Sequence, residues 1–147
     1  MAIIQVSTIL EDRPGELARI SEALGREGIN MTGLMVATRF GGGRGLLRFI
    51  CAEPDRAVKV LSALGFEVET NEILAVQTPH HPGGLTAILN PLRDADINVH
   101  HLYPCIGTLS DGQTVLLLGV DDVAAARQAL RSNWIIMVGQ EIYDIES

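Results

Sequence analysis

Asp12-Arg13-Pro14-Gly15-Glu16-Leu17 follows an apolar, β-branched run, and Pro82-Gly83-Gly84-Leu85 follows another at an offset of 68 residues. The same offset pairs Ile20 with Ile88, Leu24 with Leu92, Ile29-Asn30 with Ile97-Asn98, and Leu34 with Leu102. Eight identities within 21 positions at one offset mark an internal repeat. Past the glycine-rich segment the register drifts by one, so that Leu61 answers Leu130. The chain reads as two modules, 1–70 and 71–147, with no Ser/Gly-rich linker between them.

Each copy predicts the same order of elements. In the first, Ile3 to Leu10 is a buried strand. Pro14 suits the first helical position, and Leu17, Ile20 and Leu24 recur along one helical face until Gly25 or Gly28 ends it. Met31 to Thr38 and Leu46 to Ala52 are strands joined across Gly41–Gly45. Pro54 opens a second helix with Ala57, Val60 or Leu61, and Leu64 inward, and Phe66 to Glu69 closes the unit. The second copy predicts strand Glu72–Thr78, a helix from Gly84, strand Val99–Ile106, a turn at Ser110-Asp111-Gly112 and strand Thr114–Val120. Helix Val123–Leu130 and strand Ile135–Val138 complete it, with Asp121-Asp122 as a helix cap.

The order βαββαβ defines an α+β class: two ferredoxin-like modules, each a four-stranded antiparallel sheet with both helices on one face. So small a unit is marginal alone and leaves open strand edges, so the two are expected side by side in one eight-stranded sheet. Pro91 stands where the first copy has Ala23. It removes a helical hydrogen bond at a cost of about 3 kcal/mol and predicts a kinked or shortened helix. Gln140 to Ile145 suits an extra strand or a docking tail, and Trp134, replacing Gly65, suits the core or an interface.

Composition removes several function classes. The 147 residues are 47% hydrophobic and 20% charged, as in a folded chain, not a disordered one. A net charge of −7, with ten Arg and one Lys scattered along the chain, disfavours nucleic acid as a partner. No apolar run approaches a membrane span and Met1 to Leu10 lacks a signal peptide's features, so no membrane partner and a cytoplasmic location are expected. Cys51 and Cys105 lie in apolar runs and read as buried small hydrophobes. No serine sits in a nucleophile elbow and Gly41–Gly45 lacks the Lys-Ser/Thr of a phosphate loop, so no catalytic residue is assigned and the protein is read as not an enzyme. The four histidines form the doublets His80-His81 and His100-His101. Neighbouring strand residues point to opposite faces and no Cys or acidic residue lies at a ligand spacing, so neither a metal nor a cofactor is expected.

The repeated loops are the candidates for chemistry. A helix N-terminus presents unpaired N–H groups that hold anions, and Gly15 and Gly83 allow close approach; a plain strand-to-helix turn is the alternative on spacing alone. Asp12-Arg13-Pro14-Gly15-Glu16-Leu17, Gly28-Ile29-Asn30-Met31 and the βαββαβ order together resemble the ACT domain, a small amino-acid-binding regulatory module. Pro82-Gly83-Gly84-Leu85 with Ile97-Asn98-Val99 resembles a second one, so the chain resembles a free-standing tandem ACT protein.

The resemblance implies ligand sites between the first loop of one module and the start of the second strand of the other. One would combine Asp12, Arg13, Gly15, Glu16 and Leu17 with Asn98, Val99 and His100. The mirror site would combine His81, Gly83, Gly84 and Leu85 with Asn30, Met31 and Thr32. Loop N–H groups would take a carboxylate and Asp12 or Glu16 an ammonium. His80-His81 in place of Asp12-Arg13 makes the second loop the poorer one. The function implied is an allosteric sensor of an amino acid or similar small carboxylate, homodimeric and acting on a regulated enzyme or other protein. An assembly module with a vestigial site, or a small enzyme on the same scaffold, are the alternatives.

Overall fold

The computed structural model describes residues 2–38, 42–79, 81–107, 109 and 112–144. By its contacts the chain divides into two compact units, Ile4–Asn71 and Glu72–Ser147 with Met1–Ile3. The first unit runs β1 (Ile3–Glu11), α1 (Glu16–Arg26), β2 (Gly33–Thr38), β3 (Arg44–Ile50), α2 (Pro54–Ala63) and the opening of β4 (Val68–Thr78). The second takes the rest of β4, then α3 (Gly84–Asp94), β5 (Val99–Pro104), β6 (Thr114–Val120), α4 (Val123–Ser132) and β7 (Met137–Val138). Both units are βαββαβ, with strand order β4-β1-β3-β2 in the first and β7-β4-β6-β5 in the second, and all the registered pairs antiparallel.

Seven strands, not eight, are present among the described residues. The strands expected at Phe66–Glu69 and Glu72–Thr78 run on as one, because nothing in Thr70-Asn71 bends an extended chain. The segment after β7 is a 3-10 helix, Gln140–Asp144, and not a strand; its buried Ile142 anchors it. Ile145 lies outside the described residues, as do Arg39–Gly41 in the first hairpin and Ser110-Asp111 in the second.

Strand alternation sorts the first unit's side chains onto two faces. Val6 and Leu10 of β1 and Leu47 and Phe49 of β3 meet Ile20 and Leu24 of α1 and Ala57 and Leu61 of α2 in one apolar cluster. Each large side chain there contributes about 1.5–3 kcal/mol by burial. The second unit repeats the arrangement with Leu74, Val76, Leu116 and Leu118 against Ile88, Leu92, Ala126 and Leu130. On the other face of the first unit, the fully buried Gln5 donates from Nε2 to Asn71 Oδ1 at 3.1 Å.

Pro91 does not shorten α3, which has the same 11 residues as α1. Its ring is buried and its carbonyl still accepts the Ala95 N–H at 3.1 Å, so apolar burial and a closed last turn offset the lost bond.

Left-handed positions recur between the copies, among them Gly15 with Gly83, Gly28 with Asp96, and Gly65 with Trp134. Trp134 belongs to no core, since its side chain is 92% exposed while its φ is +63°. A left-handed conformation costs a side-chain-bearing residue roughly 1–2 kcal/mol, and asparagine tolerates it better. Trp134→Asn is therefore expected to raise the unfolding free energy by about 1 kcal/mol in chemical denaturation. A fall would mean that the indole makes a stabilising contact.

Candidate functional site

In the first unit the chain leaves β1 at Glu11 and reverses through Asp12–Gly15 into α1. The Asp12 N–H donates to Gly43 O at 2.8 Å and the Arg13 N–H to Glu11 O at 3.0 Å, fixing the turn. Gly15 is the residue before the helix, at φ +89°, and no side chain caps α1. The Glu16 N–H turns back to Arg13 O at 3.5 Å. Leu17 and Ala18 then present their N–H groups with no acceptor among the described residues, at the positive end of the helix dipole.

The second unit builds the same turn. Gly83 has φ +85°, the Gly84 N–H donates to His81 O at 3.0 Å, and no side chain caps α3, leaving Leu85 and Thr86 in the same situation. Contrast the start of α4, where the Asp122 carboxylate accepts the Ala125 N–H at 3.0 Å. Capping by a side chain needs an extended residue before the helix, and the left-handed glycine withholds both the side chain and the geometry.

Glu16 is 6% exposed, and both carboxylate oxygens are engaged: Arg13 Nε donates to Oε2 at 3.2 Å and Arg19 Nη1 to Oε1 at 3.4 Å. Arg19 also donates from Nη2 to Leu64 O at 2.8 Å and lies 5.0 Å from the Phe66 ring centroid. Glu16 thus braces the turn and α1 against the loop before β4, and its charge is already compensated. The spacing of Arg13, Glu16 and Arg19, three residues apart each time, carries this pairing in the sequence. Asp12 is exposed, with no side-chain partner among the described residues, so it is the loop's open carboxylate.

Gly84 stands where Glu16 stands, and a Cβ there would collide with the Pro79 carbonyl. The second loop therefore has no counterpart of the Glu16 brace. His81 uses its Nδ1–H on Pro82 O at 2.8 Å, while His80 lies outside the described residues.

The second strands begin unlike one another. In the first unit Asn30 is exposed, Met31 packs against the helix-side cluster and Thr32 is buried, its N–H on Ile50 O at 3.0 Å. In the second, the Asn98 N–H donates to Asp121 Oδ1 at 3.2 Å, and Asn98 Nδ2 donates to His100 Nδ1 at 3.3 Å. His100 is the extra residue of a bulge in β5, since Val99 faces Val120 and His101 already faces Gly119. Val99 packs against the helix-side cluster. Asn98 and Val99 also line a hollow of about 490 Å³ with Arg93, Asp96 and Asp121. His101 lies over Gly119 and stacks on Tyr103, with ring centroids 6.2 Å apart. No metal-holding cluster of His, Cys, Asp or Glu occurs among the described residues.

Two βαββαβ units in tandem, each starting its first helix on a left-handed glycine, define a duplicated ferredoxin-like protein. The family model of the ACT domain pair matches residues 1–143, and the chain belongs to that family. ACT domain pairs are typical of amino-acid-sensing regulatory domains. No curated protein matches the chain. Among solved structures, a protein from Bacteroides thetaiotaomicron superposes with a TM-score of 0.86, over 99% of this chain and 98% of its own, at 23% identity. The regulatory subunit of aspartate kinase from Thermus thermophilus superposes at 0.65, over 90% and 93%, at 16% identity. Aspartate kinase from Synechocystis superposes at 0.62, over 100% of this chain and 27% of its own, at 15% identity. These likenesses show the fold, and none of the helices described here is long and apolar enough to cross a membrane.

Burial pushes the Cys105 thiol up to about 12. Burial, with the Glu53 carboxylate adding to it against a backbone hydrogen bond, also raises Cys51. Thiols so raised stay protonated near neutrality and are poor nucleophiles. Neither is expected to react with Ellman's reagent at pH 8 in the folded protein, and both are expected to react in denaturant; fast native labelling would refute the burial. Separately, Glu16→Ala leaves Arg13 and Arg19 without their shared partner and is expected to cost about 1–3 kcal/mol in denaturant titration.

Proposed function

We propose that this ACT domain pair is a non-enzymatic regulatory sensor of an amino acid or similar small carboxylate, held at its two glycine turns. The observation that carries the reading is the recurring left-handed glycine at an uncapped helix start, since α2 lacks a side-chain cap without such a glycine. The first helix of each unit starts on a left-handed glycine without a side-chain cap, whereas α4 carries Asp122 for that purpose. Uncapped N–H groups at a helix start are donors that a ligand carboxylate satisfies. In this reading Leu17 and Ala18 supply the donors of the first loop, and Asp12 receives the ligand's ammonium. Glu16 and Arg13 hold the loop's shape. Gly83, Gly84 and Leu85 form the second loop, where His81 offers no negative charge, so the first loop binds more tightly. Asn30 and Asn98 are exposed amides at the second-strand starts, suited to bridging polar groups of a ligand.

Binding closes the orphaned helix starts, and we infer that the resulting rigidification is what a regulated enzyme or other protein reads. Strands β2 and β5 end the strand order of their units, and their free edges favour a homodimer.

A thermal-shift screen of the twenty amino acids tests the reading. A ligand at a hundred times its Kd adds about 2.7 kcal/mol, which raises Tm by roughly 5–11 °C for a chain of this size. Gly15→Asn keeps the left-handed turn at low cost and places a side chain in open space at the loop, and it is expected to reduce the shift strongly. A flat profile across all twenty would sink amino-acid sensing. It would favour the assembly reading, for which the exposed Trp134 and Ile136 speak.

A further inference from the structure

On the first unit's sheet face away from its helices lies a cavity of about 320 Å³, lined by Ser7, Ile9, Leu46, Arg48, Glu67 and Glu69 among others. The register places Ser7 opposite Arg48 and Ile9 opposite Leu46. Alternation turns all four away from the cluster that holds Val6, Leu10, Leu47 and Phe49. None of the turn residues Asp12–Leu17 lines the cavity, although Ile9 and Glu67 also border the hollow that holds Glu16 and Arg19.

Its polar groups are unspent. Ser7 is 8% exposed, and its hydroxyl is buried with no hydrogen-bond partner among the described residues. A buried polar group left unpaired costs free energy that folding does not recover. Arg48 is half-buried and has no salt-bridge partner among the described residues. Glu67 and Glu69 at the rim are likewise without a cation. Only the Glu67 carbonyl is committed, accepting the Thr8 hydroxyl at 2.7 Å.

The fold does not need these charges. The matching positions of the second unit hold Ala75 opposite Leu117 and Gln77 opposite Val115, with Ala75, Leu117 and Val115 at most 1% exposed. One copy of the same sheet thus takes an apolar pair where the other keeps a serine and an arginine.

We propose that this cavity is a second ligand site, for a small zwitterion on an aliphatic frame. The Arg48 guanidinium and the Ser7 hydroxyl take its carboxylate, Glu67 and Glu69 its ammonium, and Ile9 and Leu46 its aliphatic part. An arginine fork matches a carboxylate in shape and charge. The inference shares with the proposed function only the chemical class of its ligand and rests on different residues.

Calorimetric titration of the full chain tests it, with L-leucine as probe beside 4-methylpentanoate, which lacks the ammonium, and isopentylamine, which lacks the carboxylate. Leucine is expected to bind more tightly than either. Arg48→Gln is expected to weaken this binding about tenfold or more, and Ser7→Ala severalfold, the sizes of charge-assisted and ordinary hydrogen bonds. Ser7→Ala removes an unpaired hydroxyl and is expected to keep or raise Tm, so its loss of affinity cannot be laid to unfolding. If Gly15→Asn abolishes leucine binding while Arg48→Gln and Ser7→Ala leave it unchanged, the second site is overturned and the loop reading stands. The reverse pattern upholds the second site and removes leucine from the loop. No leucine binding by the wild-type chain overturns the second site, and the twenty-amino-acid screen then decides the loop alone.

Discussion

A chain that leaves a strand and must start a helix within four or five residues has to reverse direction sharply, and here both copies do so through a glycine with positive φ. That backbone choice governs what surrounds it. It rules out an extended, side-chain-bearing residue before the helix, so α1 and α3 begin without caps while α4 begins with one. It exposes first-turn N–H groups at the positive end of a helix dipole. The geometry that gives each unit a compact corner thus also leaves its first-turn N–H groups without a side-chain acceptor.

Around this shared corner the copies have diverged where the backbone allows it. Glu16 sits almost fully buried between two guanidinium groups, which its partners' exposure of 65% and 46% keeps partly in water. The second copy closes its loop onto the Pro79 carbonyl, and only glycine fits at 84. The left-handed positions at Gly28 and Gly65 have become Asp96 and Trp134. Aspartate tolerates that conformation through its short polar side chain. Tryptophan has no such excuse, and its exposed indole returns no burial to offset the strain. The duplication has therefore produced two units with one backbone plan and unlike surfaces.

The plan was legible in the sequence because it rests on periodicity and on glycine. Ile20 and Leu24, and Ala57 and Leu61, announce which helix faces are buried, and all four lie in the core. What was not legible depends on the absence of a signal or on competition between signals. Thr70-Asn71 reads as a break, yet an extended strand passes through it. Pro91 reads as a helix breaker, but its burial among apolar neighbours outweighs one missing bond. Trp134 reads as core or interface by its chemistry, and its left-handed turn and exposure leave it out of the core. At the candidate site the loop was visible as a motif. The spacing of Arg13, Glu16 and Arg19 carried their pairing, but the anchoring of Arg19 was not legible, because Leu64 and Phe66 lie far along the chain.

The open sheet face of the first unit bears on function through the same comparison between copies. Strand alternation makes one face of β1 and β3 the floor of the helix layer and leaves the other free to vary. In the second unit that other face is filled with Ile73, Ala75, Val115 and Leu117, the arrangement that hydrophobic burial alone favours. In the first it carries a buried hydroxyl without a hydrogen-bond partner and a half-buried guanidinium without a salt-bridge partner among the described residues. The matching positions thus carry an apolar pair where the face is covered and a serine and an arginine where it is partly open. A carboxylate is the group that would serve both of those donors at once, which is what the proposed second site asks of its ligand.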